Sequence, residues 1–111
     1  MDISVIVPLF NEAESLPKLY EWIAKGMKEH SFTYEIIFVN DGSTDESWQV
    51  IQDLKQQGKD TVRGICFRRN YGKSAALYCG FKAAQGQVVI TMDADLQDSP
   101  DEIPELYRMI T

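Results

Sequence analysis

Four short apolar runs punctuate the chain, and each breaks off at polar or charged residues. Ile3–Val7 leads into Pro8 and Asn11-Glu12, Glu35–Val39 into Asn40-Asp41-Gly42, Val62–Phe67 into Arg68-Arg69-Asn70, and Val88–Met92 into Asp93-Ala94-Asp95. Short β-branched runs without strict alternation read as strands covered on both faces, as in a parallel sheet. Between them, apolar residues recur at helical spacing. Leu16, Leu19, Tyr20, Ile23 and Met27 mark one helix, and Trp48, Ile51 and Leu54 a second. Leu77, Phe81 and Ala84 mark a third, and Ile103, Leu106, Tyr107 and Ile110 a fourth. Ala76 and Gly80 are small enough to let the third helix approach a sheet closely.

Helix boundaries are also written in the chain. Asn11 with Glu14, or Ser15 ahead of Pro17, opens the first helix, and Ser43 with Glu46 forms a capping box for the second. Lys73 or Ser74 opens the third, which Gly86 closes. Ser99, Pro100 and Glu102 supply cap, first-turn proline and N3 acid for the fourth. The order βαβαβαβα with short connections predicts an α/β fold. It would be a Rossmann-like three-layer unit with a four-stranded, mostly parallel sheet and right-handed crossovers.

At 111 residues the chain fits a single domain, with no repeat, low-complexity tract or linker. A net charge of −6 argues against a nucleic-acid surface, which needs clustered Lys and Arg. It leaves a nucleotide open, because a metal and one or two local cations can hold its phosphates. Cys66 and Cys79 lie in apolar stretches and form no Cys-x-x-Cys pair, so two buried thiols in a reducing compartment are expected and zinc is not. No leader pattern and no apolar run of membrane-spanning length is present. The helix-like pattern still running at Thr111 suggests a piece of something longer.

In a parallel sheet the four strand ends share one side, where ligands of open α/β sheets bind. Asn11, Glu12, Asp41, the Arg68-Arg69-Asn70 loop, Asp93 and Asp95 therefore converge. Asp93 and Asp95 repel each other unless a cation lies between them, and hard carboxylate oxygens suit Mg²⁺ or Mn²⁺ held together with substrate phosphates. Lys73 at a helix start opposes the helix dipole, which favours a ligand-directed role over a structural one. Plain readings stand beside these: Asn11 as a cap, Glu12 as a solvated charge, Asp41-Gly42 as a turn, Gln97 as loop filler. A P-loop fails because Phe67 stands where its first glycine belongs, and neither G-x-G-x-x-G nor G-x-S-x-G occurs. The loop from Asp93 also lacks the sixth-position glycine of a calcium loop.

Four motifs in order carry a resemblance: Val5-Ile6-Val7-Pro8 to Asn11-Glu12, Val39-Asn40-Asp41-Gly42-Ser43-Thr44-Asp45, Arg69-Asn70-Tyr71-Gly72-Lys73, and Met92-Asp93-Ala94-Asp95-Leu96-Gln97. Together they resemble the N-terminal half of a family 2 inverting glycosyltransferase with the GT-A fold, in the dolichol- and undecaprenyl-phosphate sugar transferase branch. Residues 1–111 would then be the nucleotide-sugar-binding half of such a domain. The resemblance implies that Pro8, Asn11, Glu12, Asp41, Lys73 and Asp93 border the nucleotide. It implies that Asp95, Gln97 and Asp93 hold a Mg²⁺ or Mn²⁺ ion. It further implies a UDP- or GDP-sugar donor, a polyprenyl phosphate or glycan acceptor, and a role in cell-wall or polysaccharide synthesis. Cytoplasmic placement follows, with a membrane-associated parent.

In this family the general base lies in the second half, so no catalytic residue is assigned. A missing half would leave a sheet edge exposed and favour self-association. Asp98-Ser99-Pro100 departs from the family's frequent His-Pro-Pro. Two alternatives from other classes remain. One is a Mg²⁺-dependent phosphoryl-transfer enzyme using Asp93 as nucleophile, although Gln97 stands where haloacid-dehalogenase phosphatases place Thr. The other is a receiver-like signalling module.

Overall fold

The computed structural model describes residues 1–110. Four strands form one sheet: β1 (Ile3–Leu9), β2 (Tyr34–Asn40), β3 (Val62–Cys66) and β4 (Val88–Thr91), in the order β3-β2-β1-β4. Every pairing is parallel, with registers Ile3↔Tyr34, Ile36↔Val62 and Ile3↔Val88. The main helices are α1 (Leu16–Glu29), α2 (Ser47–Gly58), α3 (Lys73–Ala83) and α4 (Ile103–Ile110). The predicted α/β architecture is therefore present, and the sheet is parallel throughout.

Alternation along the strands splits the core into two layers. Ile3, Val5, Val7, Ile36, Phe38, Val62, Val88 and Ile90 pack on one face against Leu16, Leu19, Ile23 and Met27 of α1, Ile51 and Leu54 of α2, and Ile103 of α4. Ile6, Ile37 and Val39 face the other way, onto Ala76 of α3. This second layer is thin because α3 lies very close: a Cβ at Gly80 would come within 2.3 Å of Ile6 Cγ2. The chain crosses to a single helix there and uses three on the opposite face.

Three local expectations change. The second helix starts at Ser47, not after Ser43, and no Ser43–Glu46 capping box forms. Ser43 is drawn instead to the neighbouring β1–α1 loop, where its Oγ accepts from the Asn11 amide at 2.9 Å. On α3 the buried face is Ala76 and Gly80, with Leu77 and Ala84 at its margin, while Phe81 and Tyr78 are more than half exposed. Small residues win the inner face because only they permit the close approach. Cys66 is exposed and Cys79 only partly buried, so the expected pair of buried thiols is absent. Cys66 closes β3, an edge strand, where one side has no neighbour to cover it.

The amino edge of the sheet carries a feature the sequence did not announce. Glu35 is 1% exposed. Its carboxylate accepts from Ser4 Oγ at 2.6 Å, the Gln85 amide at 2.7 Å and Arg63 Nη1 at 2.9 Å. Arg63 also donates to the Ala83 carbonyl, and the Gly86 amide donates to Ser4 Oγ. Burial alone would raise the Glu35 carboxyl, but the hydrogen bonds from Ser4, Gln85 and Arg63, with the Arg63 charge, outweigh it and hold it below the usual range. The helix α3 ends at Ala83, and Gly86 serves a different purpose from closing it. A Cβ there would meet the Ser4 backbone nitrogen at 2.6 Å. Its absence lets the chain enter β4 tightly against β1.

Candidate functional site

All the acidic strand-end residues lie at the carboxyl edge, as the parallel order requires. Pro8, Leu9, Phe10, Asp41, Lys73 and Asp93 line one cleft of about 170 Å³ there. The register explains the convergence. Strand β1 is central, with β2 and β4 on either side, so Asp41 follows β2 on one flank of Pro8–Leu9 and Asp93 follows β4 on the other. Pairing with β4 stops at Ile6↔Thr91, so the missing N–H of Pro8 falls beyond that strand's end.

Asp41 is nearly buried, 5% exposed, and anchors the loop ahead of α3. Its carboxylate accepts from the Tyr71 amide at 2.7 Å and the Gly72 amide at 3.0 Å. Gly42 follows at φ +73°, and a Cβ there would fall 2.2 Å from the Arg69 carbonyl carbon. Glycine is required on both counts. The anchored loop delivers Lys73 to the cleft, where its ammonium meets Asp93 Oδ1 at 2.8 Å. Asp93's hydrogen bond and charge raise the Lys73 pKa, with smaller contributions from Asp98 and Asp95. Arg68 and Arg69 do not join them. Both are exposed, and Arg69 stacks over the Tyr71 ring at 5.0 Å.

The loop after β4 is tightly wound. The Asp93 amide donates to Asp98 Oδ2 and the Gln97 amide to Asp95 Oδ1, with Leu96 between them at φ +67°. Asp95 and Gln97 are exposed in the same loop as Asp93, but only Asp93 of the three lines the cleft. Asp95 Oδ2 and Asp93 Oδ2 have no protein partner among the described residues. These hard oxygens fit Mg²⁺ or Mn²⁺. Among the described residues no three His, Cys, Asp or Glu side chains gather to hold a metal by themselves. A cation here would need ligand oxygens from a bound phosphate, the usual habit of Mg²⁺.

Asn11 and Glu12 sit apart from the cleft, along an adjoining groove with Ala13, Glu14, Ser15, Asp45 and Glu46. Asn11, at φ +54°, accepts through Oδ1 from the Thr44 and Asp45 amides at 2.8 and 3.2 Å. Glu12 accepts from Ser15 Oγ and donates its amide to Ser47 Oγ. Two residues escaped the sequence reading. Phe10 lines the cleft and is 43% exposed, and Asp45, the last residue of the second motif, ties two loops together. An exposed aromatic next to a strand-ending proline is the signal that could have revealed Phe10.

This edge defines the class: a Rossmann-like α/β unit whose acidic rim is joined by one lysine at a helix start. Residues 4–111 match the model of Glycosyl transferase family 2, and the chain belongs to that family. It is 44% identical over 106 residues to an undecaprenyl-phosphate 4-deoxy-4-formamido-L-arabinose transferase of Pseudomonas fluorescens, a match covering 96% of this chain and 31% of that protein. The chain thus spans about a third of the length of the curated relatives it matches. Among solved structures it superposes on S. aureus TarS 1-349 in complex with UDP-GlcNAc with a TM-score of 0.75 and 23% identity, covering 99% of this chain and 31% of that one. The mannosyltransferase PcManGT from Pyrobaculum calidifontis, in complex with GDP-Man and Mn²⁺, gives a TM-score of 0.73 at 24% identity, covering 91% and 30%. The fold is that of GT-A glycosyltransferases.

Proposed function

We propose that residues 1–111 form the donor-binding half of an inverting glycosyltransferase that moves a sugar from a UDP- or GDP-sugar to a polyprenyl phosphate. The observation that carries this is one cleft lined by Pro8, Leu9, Phe10, Asp41, Lys73 and Asp93, with Asp95 two residues further along the same loop. Two structural neighbours hold nucleotide sugars, and the curated relatives are undecaprenyl-phosphate sugar transferases.

The residues divide the work by chemistry. The Phe10 ring and Pro8 offer an apolar wall for a base, and Asp41 Oδ2, which takes one bond from the Gly72 amide, keeps a second lone pair to accept a base N–H. Asn11 and Glu12 shape the adjoining loop on the ribose side. The Lys73 ammonium can turn from Asp93 towards a diphosphate, which brings more negative charge than one carboxylate. Asp93, Asp95 and Gln97 supply the oxygens for Mg²⁺ or Mn²⁺, which when bound neutralises charge growing on the departing diphosphate. Direct displacement at the anomeric carbon inverts its configuration, with the general base supplied from outside these residues.

No helix among the described residues is long and apolar enough to cross a membrane. A cytoplasmic catalytic unit in a membrane-associated parent agrees with a lipid-linked acceptor. Strand β4 lies at the sheet edge with Val89 exposed, which favours pairing with a further strand, from a longer chain or a second copy.

Titration calorimetry of the chain with UDP and with GDP, each with Mn²⁺, tests the reading. Binding by one nucleotide that needs Mn²⁺ and disappears in Asp95→Ala is the expected result. Absence of binding by both overturns it.

A further inference from the structure

Two loops flank the nucleotide cleft on its β2 side, and side chains sew them together. Asp45 is the hub. Its Oδ2 accepts from the Ala13 amide at 3.4 Å, and its Oδ1 accepts from the Ser47 amide at 2.9 Å and from Ser47 Oγ. Ser47 is fully buried and accepts in turn from the Glu12 amide at 3.1 Å. Asn11 completes the seam, with Oδ1 on the Thr44 and Asp45 amides, Nδ2 on Thr44 Oγ1, and its own amide on Ser43 Oγ. Burial acts to raise the Asp45 carboxyl, but the Ser47 and Ala13 bonds outweigh it and hold it ionised below the usual range.

The seam begins one residue after Phe10 and two after Asp41. At that point the Asp41 amide already donates to the Leu9 carbonyl at 2.8 Å. The cleft's apolar wall and its buried carboxylate are therefore joined by the Leu9–Asp41 bond and, immediately beyond it, by the bonds of the two-loop seam. Asn11 lies in the left-handed region, which Asn tolerates better than most side chains, and its seam bonds hold it there.

We infer that Asp45, which does not line the cleft, is a positioning residue for nucleotide binding. Through Ala13, Ser47 and Asn11 it holds the Pro8–Phe10 wall at the distance from Asp41 that a base requires. This rests on the donor-binding reading above. The Glu35 network at the opposite edge provides a matched control, since it is also a multiply bonded carboxylate but lies at the far end of the strands.

The test uses the 111-residue chain and two measurements on Asp45→Ala, Asp45→Asn and Glu35→Gln. UDP and GDP affinity with Mn²⁺ is measured well below each variant's unfolding temperature. Amide hydrogen exchange is followed at Glu12 and Asp41, neither of which donates to Asp45. Asp45→Ala is expected to weaken nucleotide binding roughly tenfold, in line with the loss of a positioning contact. It should also speed exchange at both amides. Asp45→Asn, which keeps an oxygen for Ser47, should recover part of the loss. Glu35→Gln should lower the unfolding temperature yet leave affinity and both amides unchanged. Unaltered affinity in Asp45→Ala, or losses that merely follow unfolding temperature across all variants, overturns the inference. If the unmutated chain binds neither nucleotide, the donor-binding reading fails, and slow exchange at Asp41 in Asp45→Ala separately removes the seam.

Discussion

The two ends of the sheet both contain carboxylates, and they use them in opposite ways. At the amino edge, Glu35 has both carboxylate oxygens bonded, Oε2 by Ser4 and Gln85 and Oε1 by Arg63. At the carboxyl edge, Asp93 and Asp95 each keep one oxygen without a protein partner among the described residues, and Lys73 meets Asp93 at 2.8 Å in an exposed ion pair. Backbone strain does not follow this division. Asn11, Gly42, Gly72 and Leu96 have positive φ at the carboxyl edge, and Ser31 and Lys59 have it at the amino edge. A buried charge with both oxygens bonded fixes structure, whereas one with an open oxygen is available to a ligand.

The comparison can be broken most directly at Glu35. Glu35→Ala strands the Gln85 amide and Ser4 hydroxyl and frees Arg63, at a cost of about 2–3 kcal/mol for unsatisfied buried partners. In a domain this size that lowers the melting temperature by roughly 10 °C or more. Calorimetry should show this with nucleotide affinity intact below the transition. A lost affinity instead would mean that the two edges are coupled.

Acid should act next. Glu35 and Asp45 titrate lower in the folded chain than in the unfolded one, so the unfolded state binds more protons in acid. Their stabilisation is complete above the ordinary carboxylate range near pH ~4 and is lost as pH falls below that range through their lower folded-state values. Denaturant midpoints measured from pH 7 downward should fall in that window, with a shallower fall in Glu35→Gln. The smallest effect belongs to Lys73. Its bond to Asp93 is exposed, so Lys73→Met should leave stability nearly unchanged. It should weaken nucleotide affinity several-fold, and less so as salt rises.

Much of this was legible along the chain. β-branched runs that end in Pro8, Asp41 and Asp93 dictate strands, and their spacing around helical patterns dictates parallel order and a shared rim. The four motifs also pointed to the family. Other features depended on contacts between residues far apart in sequence. Nothing near Ser43 says that Asn11 will claim it, because that bond spans 32 positions and outcompetes a local cap. Glu35 reads as a strand-edge charge until Arg63, Ser4 and Gln85 arrive from three other segments.

The sequence by itself determined the element order, the polar strand ends and the family, since these depend on local propensity and periodicity. Tertiary structure decided which carboxylates are consumed and which stay open, and which helix face is buried. The reason is physical: a polar atom's role is set by the partners that reach it, and at Glu35, Asp41 and Asp45 most of those come from other loops and strands.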